Sequence, residues 1–142
     1  MDEYVVLAGG IAAGLLAGVF FVFAVAILPA LGGVDDHTFV DTMNQINHSV
    51  VNPVFVLVSL AAPALVVVAG AVDRSPIRSV AAALGVLTLL ISIAVNIPLN
   101  NKLAAGSSRE DFEPTWVRWN AVRTVTGIGS FVCLLLSTAA ET

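Results

Sequence analysis

Three groups of polar residues interrupt an otherwise oily sequence, and their residue types could do chemistry. The first is Asp41, Asn44, Gln45, His48 and Asn52, spaced three, four or seven apart, so that a continuous helix aligns most of them along one face. The second is Asn96 and Asn100, one turn apart around Pro98. The third is Trp116, Trp119, Asn120 and Arg123, whose offsets put them on a single stripe. A guanidinium offers a planar fork of donors to a carboxylate, a carbonyl or a phenolate. Indoles supply flat, apolar walls for an aromatic ring. Histidine is the side-chain type that exchanges a proton near neutral pH, so His48 is the candidate general base.

Each of these residues also has a structural reading. Arg123 could tie down a helix start at the membrane interface, with Asp41, loop carbonyls or an acidic or phenolic ligand as its partner. Trp116 and Trp119 could belong to an aromatic belt at the headgroups, and Asn96 and Asn100 could hydrogen-bond between helices. His37, Asp41 and His48 share helical offsets but no recognised metal-ligand spacing, so no metal is expected.

The elements that must position these groups are membrane helices. Of 142 residues, 58% are hydrophobic and 11% charged, far from a soluble composition. Four stretches are long and apolar enough to cross roughly 30 Å of hydrocarbon at about 1.5 Å per residue. They run from Val5 to Leu31, Val54 to Val72, Val80 to Leu99 and Val122 to Ala140. The first is too long for the apolar part of a signal peptide and follows Asp2 and Glu3, so a retained span is expected. The fold class is therefore all-α: a single-domain, integral membrane four-helix bundle.

Between the first two spans, Phe39, Met43, Ile46 and Val50 recur at helical spacing and predict an amphipathic helix at the membrane surface, its apolar face toward lipid. Asn101 to Pro114 reads as an exposed loop. With four spans both termini face one side, and the polar groups gather at the opposite mouth. The charges of the loops conflict, but a first loop with three aspartates and no Lys or Arg favours cytoplasmic termini. Gly10, Gly14 and Gly18 form overlapping GxxxG patterns, suited to close packing inside the bundle or to a homo-oligomer seam. No Lys or Arg block suggests nucleic acid, and the lone Cys133 permits no internal disulfide.

Asn96-Ile97-Pro98-Leu99-Asn100-Asn101, followed by Trp116-Val117-Arg118-Trp119-Asn120-Ala121-Val122-Arg123-Thr124, resembles the anthrone-oxygenase-related family of small four-span membrane proteins, many of them catalogued as a domain of unknown function. Asn47-His48-Ser49-Val50-Val51-Asn52-Pro53-Val54-Phe55 extends the resemblance over most of the chain. It implies oxygenation of a polycyclic anthrone to an anthraquinone without an obvious cofactor. The residues carried over are Asn47, Asn52, Asn96, Asn100, Trp116, Trp119, Asn120 and Arg123. Family members often have a histidine just after the Trp-Asn pair, where this chain has Ala121.

The expected function is a cofactor-independent oxygenase of a lipophilic polycyclic or phenolic substrate, with His48, Arg123 and Asn120 catalytic and Asn47, Asn52, Asn96, Asn100, Trp116 and Trp119 binding substrate. The competing reading is a non-catalytic lipid- or quinone-binding protein, or an accessory subunit of a membrane complex. Its partners would be a lipophilic small molecule or lipid and the bilayer, in a multi-pass protein of a bacterial plasma membrane. A proton-coupled transporter is disfavoured, since none of the four stretches contains an internal acid.

Overall fold

The computed structural model describes residues 2–139, and among them there is helix but no strand. Helix α1 (Asp2–Val22) widens into a π-helical turn (Phe23–Ile27) and continues as α2 (Leu28–Leu31). Helix α3 spans Asp36–Val50 and α4 Pro53–Val72. Helix α5 (Pro76–Ile91) passes through a second π-helical turn (Ser92–Asn96) into α6 (Ile97–Ala104), and α7 runs from Arg109 to Ala139. Four helical stretches are apolar and long enough to span a membrane: Glu3–Leu31, Pro53–Val72, Pro76–Ala104 and Arg109–Ala139. They close a ring in which each span packs on its sequence neighbour and the last packs on the first. The chain is a multi-pass helical membrane protein. The expected end of the last span at Ala140 lies outside the described residues.

The two π turns have one cause. Pro29 and Pro98 lack an N–H and would clash with the carbonyls four residues back, Val25 and Ala94. Both carbonyls lie in the widened turns, where the N–H of Leu28 reaches back to Phe23 and that of Ile97 to Ser92. Each distortion therefore begins at a residue, Phe23 or Ser92, that lines the central cavity.

Two expectations change here. The segment from Asn101 to Pro114 is not a loop: α6 continues to Ala104, and α7 starts at Arg109 after a short turn through Gly106. The Ser108 hydroxyl caps the new helix by accepting the Asp111 N–H at 3.1 Å. Arg109 faces the protein, donating to the Leu31 and Val34 carbonyls, pairing with Glu113, and lying over the Phe39 ring at 4.3 Å. It thereby satisfies carbonyls that the end of α2 leaves open.

The apolar face of α3 turns away from lipid as well. Phe39 and Met43 are fully buried with Phe23, Leu31, Leu103, Phe112 and Trp116, because the longer spans overshoot the 20-residue α4 and offer α3 an apolar seat on α6 and α7. Helix α3 is capped by Asp35, which accepts from the Thr38 N–H at 3.0 Å and its hydroxyl at 2.7 Å. Those bonds hold the Asp35 carboxyl below its ordinary range.

Of the glycine pattern, Gly14 is internal: a Cβ there would meet the Phe131 ring at 3.0 Å, whereas one at Gly10 or Gly18 would meet nothing.

Candidate functional site

A cavity of about 610 Å³ lies inside the bundle. Leu16, Phe20 and Phe23 of the first span form one wall, and Phe55, Val56, Ser59 and Leu60 of α4 another. The third span contributes Thr88, Leu89, Ser92, Ile93, Ile97 and Asn100, and Asn44, Asn47, His48 and Val50 of α3 stand at one end. From the fourth span a single residue reaches in: Arg123.

Because α7 begins at Arg109, Arg123 lies near the middle of a 31-residue helix, about 21 Å along it. The helix thus starts well before the expected beginning of the span at Val122, and Arg123 is not near a helix start. Nor does Asp41 pair with it: Asp41 lies on the exposed face of α3, 3.4 Å from His37. Among the described residues no carboxylate lies within ion-pair distance of Arg123. The guanidinium is 8% exposed, donates Nε–H to Asn120 Oδ1 at 3.0 Å and approaches Ser92 Oγ at 3.4 Å. Its carbon stands 4.2 Å from the Phe20 ring centroid and 5.1 Å from that of Trp116. A cation in this apolar setting is held by π faces and two neutral oxygens, with further N–H donors left over.

Asn120 is fully buried and fixes the fork from behind, its own amide donating to the Phe20 carbonyl at 3.4 Å. Trp116 is 1% exposed, stacks on Phe112 and packs against Phe23. Its indole N–H donates to Asn100 Oδ1 at 2.7 Å, which aims that cavity-lining amide. Asn96 is also fully buried, donating to the Trp116 carbonyl at 3.4 Å, and its Oδ1 has no partner.

The structure thus brings Arg123, Asn100, Asn47 and His48 to one cavity and places Trp116, Asn120 and Asn96 directly behind its wall. Trp119 is half-buried and not part of the lining. Asn52 caps α4, accepting from the Val54 and Phe55 N–H groups, and so breaks the chain between α3 and the second span. His37, Asp41 and His48 do not gather: among the described residues no three His, Cys, Asp or Glu side chains meet in a metal-binding group.

Three lining residues carry buried polar atoms with no hydrogen-bond partner: Asn44 Oδ1, Asn47 Nδ2 and Ser59 Oγ. Such atoms are costly in an apolar interior, and together with the spare donors of Arg123 they mark a polar demand that the bundle leaves unmet. Ser92, Ser59 and Phe20 escaped the sequence reading. Ser92 was within reach, lying one turn before Asn96 and two before Asn100; Phe20 carries no signal in an apolar span.

A family model described as anthrone oxygenase matches residues 41–133, about two thirds of the chain. The match takes in α3 from Asp41 onward, the second and third spans and Arg123, but not the wall formed by Leu16, Phe20 and Phe23. No curated protein and no solved structure matches. The extent of the family match, on a chain of four membrane-spanning helices, decides the assignment: the protein belongs to the anthrone oxygenase family.

Proposed function

We propose that the cavity binds a lipophilic, flat aromatic molecule bearing an acidic or enolisable oxygen, and that the protein oxygenates it. One observation carries this reading: Arg123 is a buried guanidinium with no acidic partner among the described residues, facing a largely apolar cavity. A charge inside a span costs several kcal/mol, of order 2.5–3.5 on the insertion scale, so such residues face a polar function rather than lipid.

An anthrone has a methylene between two aromatic rings and a carbonyl opposite. Loss of a methylene proton places negative charge on that oxygen, where the Arg123 fork stabilises the anion. His48, at one end of the same cavity, is the candidate acceptor of the proton. Dioxygen then adds to the electron-rich carbon to give a hydroperoxide, and loss of water leaves a second carbonyl. The balance is CH2 + O2 → C=O + H2O, with every electron supplied by the substrate. Phe20, Phe23 and Phe55 offer ring faces against which the substrate can stack.

The test is oxygen uptake by the purified protein across a panel of anthrones and hydroquinones. Uptake that depends on substrate and is lost in Arg123→Ala is expected. No uptake with any of them overturns the catalytic reading, and tight binding without uptake favours a lipid- or quinone-binding role.

A further inference from the structure

Two short ladders of apolar side chains face the same cavity from neighbouring spans. Val56 and Leu60 stand one turn apart on α4, and Ile93 and Ile97 one turn apart on the third span. All four line the cavity, yet they are 41%, 58%, 54% and 49% exposed, respectively. A side chain is both lining and exposed only at the rim of an opening. The opposite wall is shut, with Leu16 and Phe20 of the first span buried.

The rim lies inside the spans. Leu60 is about 10 Å into α4, and Ile93 adjoins Ser92, the residue that meets Arg123 near mid-helix. By the length and apolarity of these spans, the medium around this part of the bundle is the hydrocarbon layer. At the membrane surface α3 seats Phe39 and Met43 into the core, but His48, Val51, Asn101 and Ala104 line the cavity there and are exposed too, so a second, more polar opening lies at that end.

We propose that this slot between α4 and the Ile93–Ile97 turn is the entrance to the cavity, and that the ligand comes through it from the hydrocarbon layer rather than from water. This rests on the reading that the cavity holds a lipophilic ligand. The rim side chains carry no polar atom, so a hydrated solute would shed its water there without compensation. A molecule already dissolved among acyl chains loses nothing, because lipid tails are as apolar as these residues. A flat polycycle entering edge-on passes Leu60 and Ile93 and brings its oxygen to Arg123 without crossing the polar end at His48 and Asn101.

The experiment uses the full chain in lipid vesicles with anthrone as the probe, its quenching of tryptophan fluorescence followed by stopped flow. In the double variant Leu60→Phe/Ile93→Phe, association and dissociation should both slow, by about tenfold, since a narrowed entrance raises the barrier in both directions, whereas a lost wall contact would speed dissociation. Val125→Phe, on an exposed face of α7 away from the cavity, should change neither. Unchanged rates in the double variant, or slowing produced instead by Asn101→Phe, overturn the proposal.

A second arm needs no ligand. Tryptophan fluorescence introduced by Leu60→Trp should be quenched by lipids brominated at mid-chain as strongly as that introduced by Val125→Trp, and absence of quenching means the slot is closed to lipid. Should anthrone fail to bind the unaltered protein, the ligand reading of the cavity falls, while the bromolipid result still decides where the slot opens.

Discussion

Replacing Arg123 with methionine keeps the length of the side chain and removes its charge, and the structure fixes what is lost. One charge-assisted hydrogen bond to Asn120 at 3.0 Å is worth about 1.5–3 kcal/mol. The ring contacts with Phe20 and Trp116 add about 2 kcal/mol in a desolvated site. Against this, the variant no longer holds a guanidinium inside a span, a relief of about 2.5–3.5 kcal/mol. The loss exceeds the relief by about 0–2.5 kcal/mol, to which the longer Ser92 contact at 3.4 Å adds a little, so Arg123→Met should be somewhat destabilised yet remain folded. Ligand affinity has no such compensation: losing two charge-assisted hydrogen bonds to an anionic oxygen costs about 3–6 kcal/mol, a hundredfold or more in Kd. The assay pairs denaturant unfolding followed by circular dichroism with equilibrium titration of anthrone in the same vesicles. A variant that unfolds readily but binds with unchanged affinity per folded molecule would refute the argument and make Arg123 a structural group.

Further outcomes follow from single contacts. Asn52→Ala should cost about 1 kcal/mol through loss of the α4 cap, seen as a lower unfolding midpoint with no change in ligand affinity. The folded-state pKa of Asp35 is depressed by its Thr38 bonds, so its contribution to α3 is present above the ordinary aspartate range and fades as pH falls through the lowered value. Amide protection at the first turn of α3, taken relative to the intrinsic exchange rate, should fall in that acidic window, and Asp35→Asn, which still caps, should abolish the fall; protection that does not vary with pH contradicts the cap. Gly14→Ala should destabilise by about 1–3 kcal/mol by pressing on the Phe131 ring, whereas Gly10→Ala and Gly18→Ala should be neutral in the monomer. Were the latter two to dissociate a dimer on native gels, the stripe would be an oligomer seam.

The spans were legible because apolar runs of this length have one stable solution in a bilayer. The helical register of Asn96 with Asn100, and of Trp116 with Asn120 and Arg123, was legible for the same reason: spacing fixes which residues share a face. Depth was not. The charged stretch before Trp116 reads as a loop in composition, yet Ser108 caps it and Arg109 ties it to the Leu31 and Val34 carbonyls, which puts Arg123 at mid-helix rather than near a helix start. The Phe39 and Met43 face of α3 is apolar whether it meets lipid or protein, so only tertiary packing decides between them. Phe20 and Ser92 show the same limit, since their roles arise from how the spans assemble around a cation.

The central claim is that Arg123 holds an oxyanion within the bundle, and it is tested most directly by the absorbance of a bound hydroxyanthrone titrated against pH in vesicles. The account predicts that the anion persists on the protein to lower pH than in protein-free vesicles, and that Arg123→Met removes the difference. Coincident titrations of the unaltered protein and the variant, with ligand bound to both, would contradict it.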